Sequence, residues 1–441
     1  MTSQIEKLNQ RLDAQGSRVR LLEQRYAGES PLTFLSPEAK QALGNRLKAL
    51  SVNFCALAVD ALAERLQVSG FLINGTHDES LWEAWRSLGM EDGSAQVHVD
   101  ALAVGRSAVT VWGDGFGPTV NPEAPAQIVT DRHPVTREVV AAWKRWTADG
   151  KAYGVLYGPE AVVSYVSKAG VPEGGTVPPT GWEQTDRLPN PLGVVPVVPF
   201  TNRGRVADVH GVSEMTPIAD LNDALVKVMT DSLVSSEHTA RQRRWATGLE
   251  VVEDADGNAL NPFSDESTKL WQSEDPETRF GAFPGADLSS YGSLVNTITQ
   301  QIAALSGLPA QMLGMNADQA TSADAIRAAE ARLVAKAHAR MVTFGRSWAQ
   351  VASLMHAVTH GGDPRRVRAE VVWSDPSTRS EAATADSVTK LLNAGIIPTA
   401  EAQARLGYSP EKIADLARQG AAETALRVSA QTPATPRPEA A

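Results

Sequence analysis

The sequence predicts an α+β fold that is predominantly helical, and three observations predict it. Apolar residues recur every three or four positions through most of the first hundred residues, alternate between about 108 and 166, and return to helical spacing from 216 onward. Two helical stretches flank a polar, turn-rich insert over 241–290. A further stretch opening at Ser322 keeps an apolar stripe to Val358, and at 1.5 Å per residue it would be roughly 50 Å long, the length of a spoke in a large assembly.

The elements follow in order. Residues 1–25 carry Ile5, Leu8, Leu12, Val19 and Leu22 on one side of a helix, with a break expected at Gly16, and read as an arm. Ser36 is a natural N-cap with Pro37 in the first turn, and the helix it opens runs past Asp60 to about Leu66 with Leu43, Leu47, Leu50, Phe54, Leu57 and Ala61 on one face. Two shorter helices are expected over 79–90 and 95–104. Strands follow at 108–112, 127–130, 139–146, 153–157 and 162–166, separated by Gly-Asp-Gly and Asp-Gly turns. The Pro- and Gly-rich segment 170–199 must be extended or looped.

Thr216 and Pro217 then open a helix with Ile218, Leu221, Leu225, Val228, Met229 and Leu233 on its apolar face. The insert holds strand-like pieces at 248–252 and 270–271 and a turn at 254–258. Helical spacing returns with Tyr291, Leu294, Ile298, Ile302 and Leu305 and stops at Gly307 and Pro309. A polar loop, 311–321, leads to the long helix, whose stripe is Ile326, Leu333, Ala337, Met341, Phe344, Trp348, Val351, Met355 and Val358. A strand at 367–373 and helices at 382–393, 399–406 and 410–419 complete the order, and the Thr/Pro/Ala-rich tail is expected to be disordered.

With 441 residues, 42% hydrophobic and 21% charged, the chain reads as an ordinary globular protein of about two to four structural units. Apolar runs such as 193–200 fall far short of the ~20 residues a membrane span requires, and the polar start is no signal peptide, so no membrane is expected and a cytoplasm is. A net charge of −10 excludes a protein whose whole surface grips nucleic acid, because counterion release needs clustered Lys and Arg.

Candidate chemistry is sparse. The single Cys55 sits in a helical apolar pattern and reads as a buried core thiol rather than a nucleophile. His356 and His360 have the i, i+4 spacing of two zinc ligands, but the residues between them lack the glutamate of a metalloprotease and no acidic third ligand is evident. Gly113, Gly115 and Gly117 lack the Gly-Lys-Ser/Thr ending of a phosphate loop and read as a hairpin turn. No serine occupies a Gly-x-Ser-x-Gly elbow. Asp254 and Asp256 could serve a metal-dependent nuclease only by converging on a metal, and read more simply as a tight turn. Two basic clusters stand out: Arg241, Arg243 and Arg244 at the entry to the insert, and Arg365, Arg366 and Arg368. A solvated charge run is the default reading of each, and contact with DNA phosphates or a partner's acidic surface is the functional alternative for the first. No catalytic residue, cofactor or metal is expected, and the chain does not read as an enzyme.

The order helix, insert, helix, polar loop, long helix resembles the core of phage portal proteins. The local wording is closer still. The stretch Gly28-Glu-Ser-Pro-Leu-Thr-Phe-Leu-Ser-Pro37, the 53–60 helix, the 192–200 run with Asn202 and Arg203, Gly211-x-Ser-Glu214, and the 306–314 segment followed by 321–326 are similar to portals of siphophages infecting Gram-positive, especially actinobacterial, hosts. The resemblance implies a portal fold: an N-terminal arm (1–25), a wing (26–210), a first stem helix (211–240), a clip (241–290), a second stem helix (291–307), a tunnel loop (308–321), the long helix with a wing return strand (322–375), crown helices (376–425) and a disordered tail (426–441).

It further implies a dodecameric ring at one capsid vertex that passes double-stranded DNA during packaging and ejection. Such a ring docks terminase, meets capsid or scaffold protein and the head-to-tail connector, and belongs to the virion after assembly in the host cytoplasm. Gln311, Met312, Asn316, Asp318, Gln319 and Thr321 are expected to face the channel, because a polar loop between helices is costly to bury. The readings kept beside this one are another capsid-associated protein such as an adaptor, a metal-dependent nuclease, and a helical scaffold that only binds partners.

Overall fold

The computed structural model describes residues 2–29, 52–113, 115–240, 244–248, 276–282, 288–315, 323–377, 381–408, 412–413 and 415–421. The chain mixes helix and sheet and divides into two compact units, 1–376 and 377–441.

In the first unit, helix α1 (Thr2–Tyr26) is unbroken, which corrects the interruption expected at Gly16. One glycine in a helix costs about 1 kcal/mol, and burial of Ile5, Leu8, Leu12, Val19 and Leu22 outweighs it. Asn9, also fully buried, accepts from Trp143 Nε1 and Arg145 Nη1, both at 2.9 Å, and so pins α1 to strand β6 (Val139–Ala148). Helix α2 (Phe54–Ala63) corrects a second expectation. The helix read as continuous from Ser36 is interrupted at Val52 and Asn53 and begins at Phe54, because Asn53 lies outside helical geometry (φ −112°, ψ 75°) and its side chain accepts from Ala56 N. Residues 36–51 lie outside the described set.

Strands β1 (Val68–Ile73) and β2 (Thr76–His77) precede helices α3 (Glu79–Ser87) and α4 (Met90–Val104). Gly89, at φ 68°, separates the two helices, so the second begins at Met90 and not at 95. Strand β3 (Arg106–Gly113) turns through the glycine-rich segment into β4 (Pro118–Glu123) as an antiparallel hairpin, and β10 (Val197–Thr201) pairs with the other edge of β3. β5 (Ile128–Arg132), β6, β7 (Lys151–Tyr157), β8 (Ala161–Ser167) and β9 (Trp182–Pro189) form a five-stranded antiparallel meander.

Helix α5 (Ala219–Ala240) begins after a run of turns at 214–218, three positions into the helix expected from Thr216. It leads to β11 (Arg244–Thr247), which pairs antiparallel with β12 (Arg279–Ala282). The expected strand at 248–252 is corrected at its start, since Gly248 is a bend at φ 83° after β11 has ended. The expected strand at 270–271 lies outside the described residues. Helix α6 (Ser289–Ser306) packs on α5 and ends at Gly307 in the left-handed conformation.

Helix α7 (Ala323–His360) is 38 residues long, or about 57 Å. Its stripe from Leu333 to Met355 is buried, whereas Ile326 is 41% exposed, which corrects its placement on the buried face. Strand β13 (Ala369–Trp373) returns antiparallel to β1. The core condenses around α7: Trp348 lies 4.4 Å from Phe200 and 5.0 Å from Trp85 between ring centroids, and Trp85 lies 5.0 Å from Phe71. In the second unit, helices α8 (Glu381–Asn393) and α9 (Thr399–Arg405) bury Val388, Ile397 and Ala402 between them.

Candidate functional site: a charged joint beneath the long helix

The polar centre of the first unit is built from segments far apart in sequence. After α4 the chain turns at Gly105 (φ 96°), and the 202–214 segment returns to the same place through Gly211 (φ 76°). A Cβ on Gly211 would stand 1.8 Å from the Gly105 carbonyl oxygen, so only hydrogen fits there. Backbone and amide bonds hold the crossing: Asn202 N donates to Gly105 O (2.8 Å), Val212 N to Asn202 O (2.9 Å), Asn202 Nδ2 to Val212 O (2.8 Å), and Glu214 N to Leu102 O (2.9 Å).

The crossing delivers the Glu214 carboxylate, 7% exposed, beneath α7. Its Oε1 accepts from Asn202 Nδ2 at 3.0 Å and from Arg340 Nε at 3.0 Å, with Arg340 Nη2 on the same oxygen, and Lys336 Nζ lies 2.8 Å from Oε2. Lys336 and Arg340 are four apart and share one face of α7. Burial alone would raise this carboxyl, but the two cations outweigh it and bring it down to about 2. A carboxylate so held is a poor proton acceptor near neutrality and acts as an anchor.

Lys336 Nζ also donates to Ser306 O at 2.9 Å, and Arg332 Nη1 donates to Ala304 O, so cations of α7 take up the unpaired carbonyls at the end of α6. One lysine therefore joins the end of α6, the carboxylate five residues ahead of α5, and the long helix. Beside this joint, Trp348 Nε1 donates to His98 Nε2 at 2.8 Å. Burial drives His98 to about 3, so the ring is neutral at physiological pH.

The residues singled out in the sequence are placed as follows. Gln311 and Met312 do not sit in an open loop: they belong to a one-turn 3₁₀ helix (Ala310–Leu313) anchored by buried Leu313, with both side chains exposed. Asn316, Asp318, Gln319 and Thr321 lie outside the described residues, as do Arg241, Arg243, Asp254 and Asp256. Arg244 begins β11, opposite Ala282. Arg365 pairs with Asp363 at 2.9 Å and Arg368 with Glu370 at 3.5 Å, both in solvent. The imidazoles of His356 and His360 stack at 4.3 Å, with His356 Nδ1 3.7 Å from Asp78. Cys55 is buried, and burial pushes its thiol up to about 11.

No group of His, Cys, Asp or Glu among the described residues is arranged to hold a metal, and none of the described helices is long and apolar enough to cross a membrane. Sequence reading missed Lys336, Arg340 and His98. The available signal was the pair of basic residues flanking Ala337 and Met341 on an otherwise apolar face.

The chain is similar to known proteins along most of its length. Residues 5–423 match the family described as "Phage portal protein, SPP1 Gp6-like". The portal protein of Mycobacterium phage L5 is 30% identical over 400 residues, covering 85% of this chain and 79% of the relative. That of Mycobacterium phage D29 is 31% identical over 399 residues, covering 85% and 80%. Among solved structures, a chain of the neck of an empty GTA particle computed with C6 symmetry is similar with a TM-score of 0.47 and 14% identity, covering 85% of this chain and 95% of that one. A chain of the virion of a native gene transfer agent particle gives the same TM-score and identity, with 85% and 94% covered. The chain belongs to the phage portal protein family of the SPP1 Gp6-like type.

Proposed function

We propose that this chain assembles into a closed dodecameric ring at one vertex of a phage capsid, a channel through which double-stranded DNA is packaged and ejected. The observation that carries the reading is the helix pair α5 and α6, which flanks the β11–β12 ribbon and is bound at its base to the long helix α7 through Glu214, Lys336 and Ser306. Such a unit suits a stem with a clip at its tip and a spoke behind it. Leu233, Leu294 and Leu305 of the helix pair are each more than 40% exposed in the single chain, surface that a neighbouring copy would cover.

In this reading α5 and α6 are the stem helices, 241–290 is the clip, 308–321 reaches toward the channel, the sheets of 26–210 are the wing, and 376–425 is the crown. The partners are terminase during packaging, capsid or scaffold protein at the vertex, and the head-to-tail connector afterwards. The chain acts structurally, in the virion and in the host cytoplasm during assembly. Twelve copies at −10 each would carry about −120, and acidic walls repel a polymer bearing one charge per ~1.7 Å, so the DNA slides without sticking.

Particle imaging of the purified chain tests the proposal. Twelvefold rings with a central hole are the expected result, and monomers under every assembly condition would overturn it. Magnesium-dependent cleavage of DNA by pure chain would favour the nuclease instead.

A further inference from the structure

We propose that the cleft between α1, β3, β5, β10 and the 203–211 segment is a binding site for a phosphate-class polyanion. The cleft encloses about 680 Å³, well inside the range of small-molecule sites and larger than one phosphate needs. Arg11, Arg18, Arg106, Arg132 and His210 line it, and Asp131 is the only acidic residue among the lining ones. Asp131 is already occupied by Arg11 and by Lys7 at 3.6 Å. Among the described residues, Arg18, Arg106 and Arg132 therefore stand without a carboxylate partner in the cleft.

Their hydrogen bonds show the same deficit. Arg18 Nη2 donates to Gly211 O at 2.9 Å, Arg106 Nη2 to Pro125 O at 3.1 Å, and Arg132 Nη2 to Thr201 Oγ1 at 3.2 Å, all neutral acceptors. A guanidinium carries five N–H donors, so most of each fork is uncommitted to an anion. Beside them, the buried Nε of Arg203 finds no hydrogen-bond partner among the described residues. The cations also act on one another. Arg106 is brought down to about 10 by burial and by Arg18, Arg132 is lowered by burial with Arg203 and Arg137, and His210 is lowered by burial with Arg106, Arg18, Arg11 and Arg203.

Folding has gathered like charges around a hollow and has left them repelling one another. A chain that only needed these side chains for packing would have placed carboxylates between them, as it does for Arg340 and Lys336. A multivalent oxyanion relieves the repulsion and uses the planar forks in pairs, the geometry in which arginine recognises phosphate. Ile128, Phe200 and Val209 give the cleft an apolar side that can take the carbon portion of an ester. The phosphate could come from a free polyphosphate or nucleotide, or from the backbone of a nucleic-acid strand.

Calorimetric titration of the full chain with tripolyphosphate, ATP and a short oligothymidylate tests the site and separates the sources. Tripolyphosphate should bind, more weakly as salt rises, and Arg18→Gln and Arg132→Gln should each weaken binding about tenfold or more. Without anion, both variants should melt at or above the wild-type temperature, because each removes a like charge. If tripolyphosphate and ATP bind and the oligonucleotide does not, the ligand is a small phosphate. If the oligonucleotide binds and tripolyphosphate displaces it, the backbone is the natural source. No binding by any of the three, or binding unchanged in both variants, would overturn the proposal. Lower anion-free melting in both variants with unchanged affinity would instead make these arginines structural.

Discussion

Replacing Glu214 by glutamine tests the charged joint most directly. The amide keeps the volume and one acceptor oxygen, but it turns an N–H donor toward Lys336 or Arg340 and leaves a partly buried cation without its counter-charge. The size of the loss follows from the structure in two ways. The Glu214 carboxyl falls from an ordinary 4.5 to about 2 on folding, which at about 1.36 kcal/mol per pH unit contributes on the order of 3 kcal/mol at pH 7. Removing one partner of a buried ion pair independently costs about 3–5 kcal/mol. Urea unfolding followed by tryptophan fluorescence measures the difference, since Trp85 and Trp348 lie in the same core.

Because the folded value is the lower one, the stabilisation is complete above pH 4.5 and fades toward pH 2. By pH 3.5 a substantial part of it should already be gone, so wild type and Glu214→Gln converge as the solution is acidified. A loss below about 1 kcal/mol at pH 7, or a gap that does not change between pH 6 and pH 3.5, would refute the assignment of Glu214 as the charged anchor.

The remaining predictions use the same unfolding assay. Trp348→Ala should cost about 3–5 kcal/mol, because the ring is fully buried against Trp85 and Phe200, whereas Trp348→Phe should cost about 1–3 kcal/mol, mostly from the lost bond to His98. His98 is lower in the folded chain, so the unfolded chain takes up the extra proton. The His98 contribution should therefore fall as pH drops below 6.5, so wild type should lose stability relative to His98→Gln between pH 6.5 and 5. Asp100, raised to about 6 by burial and by Glu23, pulls the opposite way and is common to both proteins. Gly211→Ala should cost more than about 3 kcal/mol or give insoluble protein, since its Cβ meets backbone that cannot turn aside. Asn53→Ala should cost about 1 kcal/mol through the lost cap on α2.

How legible the fold was depended on how locally each element is determined. Helix α7 declared itself because its stripe repeats over many turns, and Gly307 followed by Pro309 marked the end of α6 to the residue. Strands β3, β5, β6, β7 and β8 showed alternation. Strands β4, β9 and β10 did not, for three different reasons: β4 carries Pro118 and Pro122, which its position at a sheet edge tolerates; β9 is exposed along almost its whole length, so no face of it is apolar; and β10 is continuously apolar around Pro199. The break at Asn53 was hidden because apolar spacing runs straight through it. The joint was hardest to see, because Gly105, Asn202, Glu214 and Lys336 meet only through tertiary packing, and each alone reads as a turn or a surface residue.

The contact between Gly105 and Gly211 also bears on how this protein can change over evolutionary time. Where two backbones approach so closely that neither glycine has room for a Cβ, neither position can drift by itself, and drift at either one would move Asn202 and Glu214 away from the long helix. Gly105, Asn202, Gly211, Glu214 and the basic pair Lys336 and Arg340 should then be inherited as a block. Across diverging relatives the block should be kept whole or abandoned whole, and a lineage that has lost one of the two glycines should also have lost the charge beneath its long helix.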